Sequence, residues 1–491
     1  MNDPADMIDA EGLIEAMVEI VGPEWVLYDP EETRAYASDA LTAYREIPGV
    51  VVLPNGEEEI VAIVNICQQR QIPIVPRGAG TGLSGGARPI REGVVLSLAR
   101  MNRILALDPE AAIAILEPGV RNLAISEAAS PHGLFYAPDP SSQIACTIGG
   151  NVNENAGGVH CLKYGLTLHN VLQVRGILSS GEVFECGGQT PDSPGLDLLP
   201  LLIGSEGMLM IVTEVTVRLL PRPTHAKVVM ASFDSIETCA HAVAAIISSS
   251  LIPAGLEMMD QAATRAVEDY VHAGYDCEAA AILLVESDGS KTEVDEEIAE
   301  IKEILLLNGS RSLVVSETEE ERQRIWSGRK NAFPAAGRVA PEYYCMDGTV
   351  PRRQMAPLLA HIAQLEKHYR LRCMNVFHAG DGNMHPLILF DGKIMGEWAR
   401  AEAFGNAILE KCIELGGTVT GEHGVGVEKL DSLCLQFTDA EREVFHALKK
   451  VFDPLRILNP DKGIPSLRRC VEHGRKRVDA QKRLLTNLEH F

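Results

Sequence analysis

The sequence predicts an α+β protein built from more than one domain. Three observations carry that reading. Beyond Val51, β-rich runs alternate with helical ones. Glycine-rich and polar loops interrupt the first half of the chain, and Pro221 to Pro223 mark a boundary after which strand–helix units repeat. The 491 residues, 46% of them apolar, suffice for two to four domains with large cores.

Residues 1–45 read as a helical lead-in and residues 46–222 as a first domain. "EEEIVAIVNICQQRQ" has the apolar spacing of an amphipathic helix. "IPIVPRG" is a strand entering a glycine loop, and "VVLSLARM" is another strand. Further strands are "AAIAILEPGV", "MLMIVTEVTVRLLP" and the hairpin "VLQVRGILSSGEVFE", which turns at Ser180-Gly181. A second domain, residues 223–420, opens with the strand and helix of "AKVVMASFDSIETCAHAVAAII". "AAAILLVESDG" and "RSLVVSETEEERQRIW" continue that order, predicting a mostly antiparallel sheet with helices on one face. A helix over Phe404 to Glu414 leads into "GGTVTGEHGVGVEKL". Residues 421–467 form a closing segment and residues 468–491 a basic tail, which suits a solvated helix, a partner subunit or an anionic membrane.

Lys plus Arg number 44 against 68 for Asp plus Glu, a formal charge of −24. Such a surface repels phosphate backbones and argues against a nucleic-acid partner. The start, "MNDPADMIDAEG", lacks the basic-then-apolar layout of a secretory signal, and no run of about 18 apolar residues predicts a transmembrane segment. A cytoplasmic location follows, with membrane attachment only through something else. Eleven scattered cysteines without a Cys-x-x-Cys pair read as reduced, mostly buried thiols, and argue against an iron–sulfur cluster within this chain.

"VFHAGDGNMHPL" sets His378 and His385 around Gly380-Asp381-Gly382-Asn383, which is turn chemistry. With those four residues as the loop of a hairpin, Ala379 faces Met384 and His378 faces His385. Opposed residues hold their Cβ atoms about 4.5–5.5 Å apart, so the two imidazoles can share one metal ion. Two hydrogen-bonded histidines on a half-buried strand are the plainer alternative; the coincidence of turn and pair favours the metal.

Three further stretches carry chemistry. "PRGAGTGLSGGARP" lets backbone amides converge on an anion, although glycine loops also occur as plain connections. It runs into a strand rather than a helix, so a flavin or nucleotide pyrophosphate fits better than a Rossmann site. "PDPSSQIACTIGGNVNENAGGVHCLKYG" is a long irregular polar loop between core-like strands, suited to wrapping a polar cofactor. "TGEHGVG" offers Glu422 as a third ligand beside His378 and His385. Three protein ligands leave an open position, as in a catalytic rather than structural zinc site, and leave His423 free to move a proton.

At these motifs the chain resembles the vanillyl-alcohol-oxidase type of flavoproteins, and within it the FAD-linked subunits of glycolate oxidase, alongside D-lactate and D-2-hydroxyglutarate dehydrogenases. "GSEGML", "GRKNAFPA", "YYCMDGTVPRR" and "FDPLRILNPDKGIP" add to the resemblance, which spans about Tyr28 to Cys470. It implies a two-subdomain FAD-binding domain at 46–222, a substrate or cap domain at 223–420, and a segment, 421–467, that returns to the FAD site. It implies that Arg77, Gly78, Ala79, Gly80, Thr81, Gly82 and Gly85 hold FAD phosphates. Pro138, Asp139, Ser142, Gly149, Gly150, Asn151 and Asn155 would line the flavin, with Gly158 and Gly165 shaping their loop. Glu206, Gly207, Ile211 and Asn459 would border it. His378, His385 and Glu422 match the metal ligands, His423 the base, and Arg329 the arginine for the substrate carboxylate.

Met210 stands where relatives usually have glycine. Cys345 replaces a lysine, and Leu387 a polar residue, that serve the distal carboxylate of hydroxyglutarate. The first glycine loop has no histidine, so FAD is expected without a covalent histidyl link. The resemblance further implies a divalent metal, zinc or manganese, and oxidation of glycolate to glyoxylate. Electrons would pass to a second FAD-binding subunit and an iron–sulfur subunit, the complex lying peripherally on the inner membrane. A D-lactate dehydrogenase is the rival within the family; a zinc hydrolase and a non-catalytic assembly subunit are rivals outside it.

Overall fold

Val50–Val52, Val94–Ser97 and Ile74–Arg77 lie parallel in that spatial order, and Val26–Leu27 adds an antiparallel outer strand. These short β-branched runs are buried on both faces, the pattern of a parallel sheet covered by its crossovers. One crossover is the helix Glu57–Arg70, whose Ile60, Ile63, Val64 and Cys67 recur at helical spacing and pack on the sheet. The structure, a computed structural model, describes residues 12–190, 195–466 and 469–470. Within them the lead-in is a helix, Leu13–Val21, followed by that outer strand, so it belongs to the first sheet.

A second, antiparallel sheet runs in the order Ile104–Asp108, Ile113–Leu116, Ile211–Arg218, Val171–Ile177, Val183–Gly187. Its last two strands form the predicted hairpin, with Gly181 at φ 82° in the turn. The long polar stretch before it is less irregular than expected. Ile148–Glu154, Cys161–Tyr164 and Thr167–Asn170 are short helices, the first capped by the Thr147 hydroxyl, which accepts from the Gly150 amide.

Residues 225–390 hold one eight-stranded antiparallel sheet. Its order is Ser312–Val315, His225–Phe233, Ala281–Gly289, Gly255–Asp260, Arg372–His378, Asn383–Phe390 and Glu342–Cys345, with Gly348–Thr349 paired to Asn383–Phe390. Helices cover both faces, not one. Val229, Ala231 and Phe233 pack beneath Ile236–Ser248, Lys291–Leu307, Met355–Tyr369 and Glu397–Glu414. Val228 and Met230 face Gln261–Val271, Glu319–Lys330 and Ala332–Val339. A strand such as "VVMASF" is apolar on both sides, so no alternation remains to say how many faces are covered.

Two further expectations change. The hairpin register pairs His378 with Asn383 and Val376 with His385, so the loop is residues 379–382 and the histidines are diagonal rather than opposed. A two-residue offset keeps both on one face of the sheet. Cys434 and Cys470, expected as free thiols, form a disulfide with Cα atoms 5.2 Å apart. Tertiary return of the chain joins residues 36 positions apart, which spacing rules cannot detect. The other nine cysteines are free, seven of them buried.

The closing segment returns to the first domain. The Ile74 amide donates to the Ile457 carbonyl at 2.7 Å, and the Asn459 amide to the Ile74 carbonyl at 2.8 Å. Except for Arg469 and Cys470, the basic tail lies outside the described residues. Among the described residues no helix is long and apolar enough to cross a membrane.

Candidate active site

The diagonal histidines converge on one carboxylate. His378 donates from Nδ1 to Glu257 Oε1 at 2.7 Å, and His385 from Nδ1 to the Met346 carbonyl at 3.3 Å. Those bonds leave both Nε2 atoms facing Glu422 Oε1, at 3.2 and 3.0 Å. The two rings stand perpendicular with centroids 5.1 Å apart. Burial disfavours the charged form of each group, yet the partners prevail. Glu257 and Glu422 raise the His378 pKa to about 10, and the two histidines hold Glu422 well below the usual carboxylate range.

Buried carboxylates fix the loop that carries Glu422. Asp347 Oδ2, fully buried, accepts from the amides of Gly421 at 3.0 Å, Glu422 at 3.2 Å and His423 at 2.9 Å. Glu206 then accepts from the amides of Val425 and Gly426, each at 2.7 Å. Thus two acids far apart in the sequence, Asp347 and Glu206, hold one glycine-rich turn. Lys429 Nζ donates to the Gly424 carbonyl at 2.9 Å and lies 3.5 Å from Asp347.

His423 stacks on His385 with centroids 4.9 Å apart, and its Nδ1 is buried without a partner. Burial lowers its pKa to about 4 against the opposing charge of Asp347, so this imidazole is neutral at physiological pH. Arg329, at the end of helix Glu319–Lys330, donates from Nε to Glu257 Oε2 at 2.7 Å; its Nη2 is buried and unpartnered.

These side chains border a cavity of about 520 Å³ whose other walls are the two glycine-rich loops. Arg77 through Gly82, Ser142, Gly149, Gly150, Asn151, Glu206 and Gly207 line it, together with Arg329, His378, His385, Glu422 and His423. Among the described residues, the amides of Gly78 to Gly82 donate to no protein acceptor. A side chain at Gly78 would strike the Thr147 hydroxyl at 2.4 Å, and one at Gly149 would strike Pro118 Cβ at 2.6 Å. Glycine at these positions therefore lets the backbone pack tightly against its neighbours while the loop amides stay free, a cradle that fits a cofactor pyrophosphate.

Six expected cofactor residues lie behind that wall. Gly85 packs its α-carbon near Val427, and Pro138 offers its carbonyl to Asn122. Asp139 accepts from His160, and the Asn155 side chain accepts from the Leu168 amide. Ile211 is buried in the second sheet. Asn459 donates to the carbonyls of Gly86 and Glu206 and so braces the wall from outside. Met210 is buried there too, whereas Cys345 and Leu387 pair across the cap sheet. The Cys345 sulfur is within 4.8 Å of ligating atoms of His385 and His423.

Sequence reading missed Glu257 and Asp347. Both are carboxylates inside otherwise apolar runs, "AGLEMM" and "YYCMDG", and that isolation was the available signal.

Comparison with known proteins adds to this geometry. Residues 48–187 match the FAD binding domain model, and residues 222–463 match the model of FAD linked oxidases, C-terminal domain. The chain is 53% identical over 484 residues to the glycolate oxidase subunit GlcD of Escherichia coli strain K12, covering 99% of this chain and 97% of that one. It is 39% identical over 469 residues to GlcD of Bacillus subtilis strain 168, with 95% and 98% covered. The D-lactate dehydrogenase of Anaerostipes hadrus is 33% identical over 460 residues, covering 92% and 96%. Among solved structures, p-cresol methylhydroxylase with substrate bound superposes with a TM-score of 0.77 at 18% identity, covering 93% and 97%.

Proposed function

The chain belongs to the FAD-linked oxidases, and from that premise we propose that it oxidises a small 2-hydroxy acid, glycolate above all, to the 2-oxo acid. One observation carries the reading. Two imidazole nitrogens and a carboxylate oxygen converge within 3.2 Å of one another's partner atom, beside the unpartnered Nδ1 of His423 and Nη2 of Arg329. All of these residues line the cavity, as do the loop residues Arg77 to Gly82.

His378, His385 and Glu422 would hold the metal, a zinc or manganese ion by donor type, and the loops at 77–82 and 149–151 would hold FAD without a covalent link. When bound, FAD supplies a two-electron acceptor and the cation supplies Lewis acidity toward the hydroxyl. His423, whose burial keeps the ring neutral at physiological pH, takes the hydroxyl proton. Arg329 orients the substrate carboxylate through its terminal guanidinium nitrogens, since its Nε is committed to Glu257. The apolar pair Cys345 and Leu387 offers no group for a second carboxylate, which suits a short monocarboxylate.

The family membership leaves a zinc hydrolase with no use for the flavin loops. The dispersed, mostly buried free cysteines support electrons leaving to separate subunits, a second FAD-binding subunit and an iron–sulfur subunit. A peripheral position on the inner membrane would follow from those partners. Anaerobic titration of the yellow protein tests the reading. Glycolate should bleach the flavin band faster than D-lactate, and a strong chelator should abolish bleaching without releasing FAD, zinc or manganese restoring it. Much faster bleaching by D-lactate reassigns the substrate; bleaching untouched by metal removal removes the cation from the mechanism.

A further inference from the structure

Glu257 sits on the central strand Gly255–Asp260, directly opposite His378 on the neighbouring strand, and is 1% exposed. Its neighbours Met258 and Met259 are apolar and buried. A carboxylate at such a place is strongly disfavoured unless its oxygens are satisfied by strong donors. Here each oxygen has one. Oε1 accepts from His378 Nδ1 at 2.7 Å and Oε2 from Arg329 Nε at 2.7 Å. Both donors belong to the proposed site, on two different elements, and both residues line the cavity. His378 Nε2 faces Glu422, and Arg329 Nη2 is buried with no partner.

We propose that Glu257 is a positioning residue that couples the two halves of substrate recognition. One carboxylate sets the tautomer and direction of the metal-binding imidazole and, at the same time, the direction of the guanidinium that takes the substrate carboxylate. A 2-hydroxy acid carries its hydroxyl and carboxylate on adjacent carbons, so the two recognition points must keep one spacing. A rigid fork shared by both imposes it. Ligand-orienting carboxylates of this kind typically contribute 10–100-fold in metal affinity. Sharing adds a consequence that an ordinary buried ion pair lacks: a change at Arg329 should be felt at the metal.

This inference rests on the proposed 2-hydroxy-acid site, and the test separates the two. Wild-type protein is first checked for bound divalent metal and for bleaching by glycolate; failure there overturns the site reading itself. Glu257→Gln and Arg329→Lys are then compared for zinc retention against a chelator and for affinity toward oxalate, read from the flavin spectrum. The amide of Glu257→Gln has one acceptor for two donors, so zinc retention and oxalate affinity should both fall, by roughly 10–100-fold for zinc. Arg329→Lys should weaken oxalate and also loosen zinc several-fold, and the double variant should lose little more zinc than Glu257→Gln alone. FAD content and melting temperature check folding; should Glu257→Gln not fold, zinc retention in Arg329→Lys carries the test. Unchanged zinc retention in Arg329→Lys, or losses that simply add, overturns the shared fork.

Discussion

Glu422 keeps its charge although burial opposes it, because two imidazoles spend their outer nitrogens on Glu257 and Met346 and turn the inner ones toward it. His423, the next residue, has the opposite environment: buried, stacked on His385 and without a partner at Nδ1. Adjacent residues thus acquire opposite tasks, a fixed charge and a free base. Replacing His423 by glutamine keeps size and polarity but removes the proton acceptor. Flavin reduction by glycolate should slow by about 10²–10⁴-fold while FAD and metal content stay as in the wild type. Stopped-flow absorbance under anaerobic conditions reads the rate, and undiminished bleaching removes His423 from the role.

At the scale of elements, the second polar loop and the cap sheet are joined by charge. His160 pairs with Asp139 at 2.7 Å and with Glu286 at 3.1 Å, and Arg322 pairs with Glu286 at 2.8 Å. Burial pushes the Glu286 pKa up, but His160 and Arg322 prevail and bring it down to about 2 from 4.5. A depressed acid stabilises the fold above its unfolded value, so this contribution is present above pH 4.5 and is lost as pH falls toward 2. The shift corresponds to about 3 kcal/mol. His160 is shifted upward against its own burial by the same acids, so its contribution is full below 6.5 and declines as pH rises toward the folded value. The clamp is therefore complete between these limits. Denaturant unfolding across that range should show Glu286→Gln with a flatter acid limb than the wild type; parallel limbs would mean the clamp contributes nothing.

The same elements show what was legible beforehand. The alternation of strands and helices and the Ser180-Gly181 hairpin are local signals, and local signals survive folding. Register was not legible. The turn around Gly380 to Asn383 admits two loop placements differing by one residue at each end, and only packing of His378 against Glu257 on a distant strand selects between them. Whether Asn459 touches the cavity or braces it depends on a contact 373 residues away. The Cys434–Cys470 bond is likewise a tertiary event.

For the whole molecule, the decisive feature is that the last described segment closes the first sheet. Leu458 is fully buried, bridges to Ile74 in parallel register and packs with Ile457 into the core of the first domain. Lys449 Nζ ties that segment further, donating to the Leu458 and Met208 carbonyls at 2.6 Å each. Because Asn459 follows directly and braces Gly86 and Glu206, loss of packing at Leu458 should reach both the cofactor wall and the turn bearing Glu422. Leu458→Ala should destabilise by roughly 2–5 kcal/mol, as for other fully buried leucines. The affinity for FAD should fall with it, since ligand that binds only the closed form draws on the same equilibrium. Unfolding midpoints measured with and without added FAD distinguish the outcomes. A large loss of stability with undiminished FAD affinity would mean that the closing segment secures the first domain without shaping the cofactor site.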